Sequence, residues 1–345
     1  MTIGRPSPAE QLAQQSDEGP GNLPAGWHGA VRDLTKYGEP LALPAVWVAS
    51  IIIFAILLPN VFLTTSNFSA MFSSQTSLLV VTLALIVPLT AGEYDLSVGS
   101  VAGLSSMMIA FLNVIHHWPI LPSVIVALLA CMLVGVVNAL ASVGLGVDTL
   151  IVTLGMGTLL EGIVSWLGGS NVVTGISQGL VKVVVLDKFL GLPLEFWYGI
   201  VACAIVWYFL RFTPVGRRLL IVGRGREVAR LSGMRVRIIR SGALVCSASL
   251  AGVAGVLVAG TSGAADPSVG PLLLLPAFAA AFLGATTISP GRFNAWGSLI
   301  AVLFLVTGFT GLVQLGAPTY IQDIFYGAAL IIAVAFSVVL RQRRR

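Results

Sequence analysis

Ten stretches of the chain are apolar over about the length that a helix needs to cross a lipid bilayer, and that repetition leaves few folds open. A hydrocarbon core about 30 Å thick takes about 20 helical residues at 1.5 Å each. On that ruler the runs fall at 41–63, 77–91, 97–115, 121–143, 149–168, 196–212, 241–260, 271–286, 293–313 and 319–340. With 57% hydrophobic and 10% charged residues among 345, and a mean hydropathy of +0.95, the polar surface is too scarce to cover a particle standing in water. A soluble globular enzyme is therefore excluded. The fold class is all-α: a polytopic transmembrane helical bundle of about ten spans. Run 77–91 is short and ends in the polar group Gly92–Asp95, so a full crossing and a re-entrant helix both fit it. The 38 glycines suit helices packed closely through small residues.

Ten crossings put both ends on one side, and the basic residues say which. Of the 19 Lys and Arg, all but Lys182 and Lys188 fall on the side of the termini, nine of them between Arg211 and Arg240. By the positive-inside bias both termini and the 213–240 loop are cytoplasmic, and 169–195 is the largest external loop. Charge distributed in this way follows a membrane, with lipid as the partner and no nucleic acid. Residues 1–40 form a polar cytoplasmic tail rich in Pro, Gly, Gln and Ser, expected to be disordered apart from a short helix near Trp27–Tyr37, with no cleavable signal. Residues 41–340 are the membrane domain, and 341–345 a basic cytoplasmic tail. Cys131, Cys203 and Cys246 lie inside apolar runs without metal-ligand or disulfide spacing, and read as small core residues.

Between the second and third runs stands Gly92-Glu93-Tyr94-Asp95-Leu96-Ser97-Val98-Gly99-Ser100, which sets two carboxylates at the membrane's edge. As a plain turn, Asp95 and Ser97 cap the next helix while Gly92 and Gly99 allow tight bends. The motif also resembles the signature of sugar-type ABC importer permeases, the family of ribose, xylose and autoinducer-2 permeases, on residues Gly92, Asp95, Leu96, Ser97 and Gly99. Thr153-Leu154-Gly155-Met156, Thr213-Pro214-Val215-Gly216-Arg217, the segment Gly223 to Met234, Gly284-Ala285-Thr286-Thr287 and Tyr320-x-Gln322 are similar to that family in the same order. The resemblance covers about 45–340.

In the 213–240 loop, Arg226, Glu227, Val228, Ala229, Arg230, Leu231 and Ser232 are long enough for about two helical turns, with Glu227 and Arg230 at i,i+3 and Gly233 as C-cap. Such a helix would show Val228, Ala229 and Leu231 to a partner. The plainer alternative is an arginine cluster that fixes orientation and holds anionic lipid. The resemblance implies that 226–233 is the coupling helix docking on a cytoplasmic ATPase, with an added arginine at 226 where the family has none. The chain has no Gly-x-x-x-x-Gly-Lys-Ser/Thr phosphate loop, so ATP and magnesium belong to that partner and this subunit carries no cofactor or metal.

Asp95, Asn138, Thr153, Glu161, Thr310 and Gln314 are the polar groups within or beside the spans that could line a hydroxyl-compatible path. The same groups equally serve to join neighbouring helices. Glu161 is the costliest of them, at about 2.5–3.5 kcal/mol if central and facing lipid. Asp323 opens the tenth run as a helix N-terminal charge. The resemblance implies a permease subunit in the bacterial inner membrane. It would pair with a second permease copy and work with a cytoplasmic ATPase and an external sugar-binding protein. It would translocate a pentose or related polyhydroxylated substrate and perform no covalent chemistry. Two other readings use the same residues: an ion-coupled secondary carrier working through Glu93, Asp95 and Glu161, and a membrane anchor whose arginine loop recruits a partner.

Overall fold

The computed structural model describes residues 25–318 and 320–343, with side chains for 40–318 and 320–335. The described residues form ten long apolar helices. They are Ala25–Leu57, Thr65–Thr90, Val98–Ile115, Ile120–Gly144, Thr149–Leu167, Leu194–Phe212, Val236–Ser262, Val269–Gly284, Ala295–Gln314 and Tyr320–Arg343, hereafter the first to tenth spans. Eight have the length and composition to cross a membrane, and the eighth and tenth are shorter apolar helices over their described parts.

Two boundaries differ from the apolar runs. The first span begins at Ala25, so its helix takes in residues 25–40 of the segment assigned to a polar tail, including the stretch Trp27–Tyr37 expected as a separate short helix; residues 1–24 of that tail lie outside the described residues. The second span is long and apolar enough for a full crossing, because Thr65–Ser74 continues into Thr76–Thr90 through a bend at Gln75. Its Ser- and Thr-rich first half hid from an apolar ruler. Thr64, just before this half, caps the Asn67 amide, and Thr76, just after it, donates to the Phe72 carbonyl.

The second and seventh spans form the centre. Leu78 through Leu89 are buried on every side of their helix, and the seventh span contributes Ala243, Ala248, Ala251, Gly252, Gly255 and Ala259 to contacts with the second, third and fourth spans. Lipid gives helices no hydrophobic reason to associate, so small residues that let backbones approach supply the packing. Large exposed side chains mark the rim, among them Ile52 and Ile56 on the first span, Leu129 and Leu133 on the fourth, and Ile331 and Ile332 on the tenth.

The connections fall on two faces. On one, helix Pro214–Arg224 packs over the 91–97 loop, and the eighth-to-ninth connection meets the first span. Pro44 has no N–H for the Pro40 carbonyl one turn earlier, and that carbonyl instead accepts the Thr287 hydroxyl at 2.5 Å. Asn294 closes the same connection: its side-chain oxygen accepts the Gly297 amide at 2.7 Å, while its amide donates to the Gly284, Thr287 and Arg292 carbonyls. Asn294→Ala is expected to cost about 1–2 kcal/mol, seen as a lower unfolding temperature of the detergent-purified chain.

On the opposite face the 169–195 loop is ordered. Val173–Thr174 pairs with Ala264–Ala265, and Lys188–Phe189 forms a hairpin with Leu192–Pro193 whose turn residues Leu190 and Gly191 both have positive φ.

Candidate functional site

The second span ends where Gly92, at φ +76°, reverses the chain, and the next residue turns inward. Glu93 is buried, with 1% of its side chain exposed. A carboxylate this deep needs charge-assisted partners, and three elements supply them. Arg226 of the helix Arg226–Leu231 donates to Oε1 at 2.7 Å and to the Gly92 carbonyl at 3.0 Å. Arg240 at the start of the seventh span grips both oxygens, through Nε to Oε1 and through Nη2 to Oε2 at 3.1 Å. Thr149, opening the fifth span, donates to Oε2 at 2.5 Å.

Asp95 is also fully buried but has no cation. Its Oδ1 accepts the Ser97 amide at 3.0 Å and hydroxyl at 2.6 Å, and its Oδ2 accepts the Ser247 hydroxyl at 2.9 Å. Burial pushes the Asp95 carboxyl above the ordinary carboxylate range, against these hydrogen bonds, which favour the charged form. Ser97 stands at the N-cap of the third span without capping it, since its hydroxyl donates to Asp95 and accepts Asn138 Nδ2 at 2.9 Å. Capping by Asp95 and Ser97 is thus replaced by a local Asx turn tied to the fourth and seventh spans. Thr153 completes the loop's anchorage by accepting the Leu96 amide at 3.0 Å.

Over this loop lies the basic segment. Thr213 caps Pro214–Arg224 by accepting the Gly216 amide, and Gly223 fits so tightly that a Cβ there would stand 2.1 Å from the Thr90 carbonyl oxygen. After Gly225 comes the six-residue helix Arg226–Leu231, with the Glu227–Arg230 pair at 2.5 Å. It ends in a Schellman motif: Gly233, at φ +78°, donates to the Arg230 carbonyl and Met234 to that of Ala229. Val228 is 67% and Leu231 79% exposed, whereas Ala229 is fully buried. Ala229 is therefore no part of an outward docking face, which narrows to Val228, Leu231 and the surrounding charges. Ser232 is exposed beside them.

The six polar residues singled out for a path do not converge. Asp95, Asn138 and Thr153 are fully buried in the loop's anchorage and face no open space. Glu161 is half-buried and accepts the Ser100 hydroxyl at 3.3 Å. Thr310 is half-buried on the ninth span, where Gln314 donates to Asn67 Oδ1 at 2.7 Å and so ties that span to the second. Arg240, Ser247 and Thr149 escaped sequence reasoning, because nothing local marks them as partners of residues 56 to 152 positions away. Only the conjunction of a carboxylate at 93 with an extra arginine at 226 hinted at a pair. Among the described residues no three His, Cys, Asp or Glu side chains cluster as metal ligands would.

Residues 66–334 match the family model described as branched-chain amino acid transport system / permease component. The chain belongs to this family of permeases. It is a multi-pass protein of the bacterial inner membrane and not an enzyme, ATP hydrolysis in such transporters being carried by a separate subunit. This permease is 29% identical to the D-allose transport system permease protein AlsC of Escherichia coli K12, over 87% of its own length and 90% of the relative's. It is 29% identical to the L-arabinose ABC transporter permease protein AraH of Azospirillum brasilense, over 82% and 83%. Its identity to the autoinducer 2 import system permease protein LsrD of Salmonella typhimurium is 28%, over 87% and 91%.

Proposed function

We propose that the permease carries a sugar, a pentose or a related small polyhydroxylated molecule, inward through an ATP-driven importer. An external binding protein delivers the substrate, and a cytoplasmic ATPase docks on the Arg226–Leu231 helix. The names of the relatives, D-allose, L-arabinose and autoinducer 2 permeases, support a sugar-like cargo. The distribution of arginines supports a cytoplasmic position for both termini and for this helix. A second permease copy completes the passage in this reading.

One observation carries the coupling role. The helix that exposes Val228 and Leu231 is also the helix whose first residue grips Glu93, and Glu93 is held in turn by the fifth and seventh spans. A partner that moves the exposed side of the helix therefore pulls on the hinge between the second and third spans through a charge-assisted bond. The ion-coupled alternative has less support: Glu93 is held by two guanidinium groups, and Asp95 is sealed among hydroxyl and amide donors.

The test is affinity purification of the chain from native membranes in mild detergent, comparing the parent with a Glu227→Arg, Leu231→Asp variant. Both substitutions fall on exposed side chains, so the fold is expected to survive. An ATPase should accompany the parent and be lost from the variant. An ATPase that stays bound to the variant would sink the docking assignment.

A further inference from the structure

On the face away from the arginine helix a cavity of about 670 Å³ lies between the second span, the Lys188–Pro193 hairpin and the end of the seventh span. That size falls within the roughly 300–1,000 Å³ of small-molecule sites. Its wall is dense in hydroxyls, including Ser69, Ser73, Ser74 and Thr261. A neighbouring cavity of about 260 Å³ shares Ser74 and Thr261 and adds Gln75, Ser77 and Tyr326.

Glu195 opens the sixth span and lines the larger cavity with none of its surface exposed. Neither of its carboxylate oxygens accepts a well-aligned hydrogen bond, the Ser77 and Thr261 hydroxyls being its polar neighbours, and the Ser73 hydroxyl has no partner. Thr261 lies close by but donates its hydrogen to the Leu257 carbonyl at 2.7 Å. Buried carboxylates in membrane proteins are ordinarily paired, as Glu93 is here by two arginines. Glu195 departs from that pattern: an acceptor is held in place beside the Ser77 and Thr261 hydroxyls, with no cation at ion-pair distance among the described residues.

We propose that this cavity binds a small neutral polyhydroxylated molecule. Glu195 accepts hydrogens from the hydroxyls of the ligand, and Ser73 and Ser74 complete the contact. Every hydroxyl of such a ligand donates once and accepts twice, which matches a wall of one carboxylate and several hydroxyls. The lining carries one acidic and one basic residue, Glu195 and Lys188, so it favours no free ion of either sign over a neutral ligand, and a bare metal ion finds no second carboxylate there. The assignment deepens the sugar-import reading and rests on it in naming the ligand as cargo; each permease copy then holds its own site on the face where substrate is delivered.

The full chain with Ser69→Cys, a lining residue outside the proposed contacts, is reconstituted in nanodiscs and labelled with a membrane-impermeant maleimide, the parent chain giving the baseline for its native cysteines. D-allose, L-arabinose and D-ribose are the probes, and tetramethylammonium is the cationic control. At least one sugar is expected to slow labelling about tenfold when present at about ten times its dissociation constant. Glu195→Gln should abolish that protection and Glu195→Asp keep part of it. Labelling unaffected by all three sugars, protection that survives Glu195→Gln, or protection by the cation alone would each overturn the site. Co-purification of the ATPase with the same preparation reads the import reading separately: protein that holds its ATPase yet shows no protection overturns the site alone.

Discussion

Glu93→Gln is expected to lower the stability of the isolated permease by about 3–5 kcal/mol, because it leaves two arginines facing a buried position with no counter-charge. Arg240 suffers most, since only 17% of its side chain is exposed and it grips both carboxylate oxygens. Arg226 is half-exposed, so Arg226→Gln is expected to cost about 1 kcal/mol or less, the scale of a solvated ion pair. Function should reverse that ranking of mildness. Arg226→Gln leaves the exposed docking side chains in place and cuts the link to the hinge, so ATPase should still co-purify while ATP-driven uptake falls. Removing both buried partners, as in Glu93→Gln with Arg240→Gln, should recover part of the lost stability, because an empty pair costs less than half a pair. Thermal unfolding in detergent reads the first comparison and proteoliposome uptake the second. Equal stability of the Glu93→Gln and Arg226→Gln proteins would show that the buried carboxylate is not the hub.

Two glycines of the seventh span should respond in opposite directions to the same substitution. A Cβ on Gly255 would stand 2.2 Å from the backbone oxygen of Ala102 on the third span, so one of the two helices has to move. Overpacking of this kind costs about 1–3 kcal/mol, and a backbone neighbour leaves no side chain to yield. A Cβ on Gly242 would meet no atom of another element within 4 Å, so Ala there should be neutral or gain up to about 1 kcal/mol of helix propensity. Gly255→Ala should therefore unfold at a lower temperature than the parent and Gly242→Ala should not. If both variants unfold alike, helix propensity rather than close approach governs this span.

Much of the architecture is readable from the residues alone, for a simple reason. A bilayer imposes one length on every crossing and forbids unpaired backbone, so the 149–168 and 241–260 runs had no other structure available to them. The Arg226–Leu231 helix was equally legible: Gly225 and Gly233 bracket it, and the Glu227–Arg230 pair lies within one turn. Local signals set local structure. They failed at Thr65–Ser74, whose serines and threonine give no apolar signature. They failed again at Glu195, one residue outside the run read as 196–212.

The chain's own order of residues thus determined how many helices cross, how long they are and where a short charged helix interrupts them, since each follows from neighbours within a few turns. The tertiary structure alone decided which polar groups are satisfied. Glu93 finds Arg226 and Arg240 at separations of 133 and 147 residues, while Glu195 is brought beside a cavity of hydroxyls with no cation to pair it among the described residues. Pairing at such distances depends on which helices lie side by side, and small residues such as Gly255 and Gly223 set that arrangement by how closely they let backbones approach.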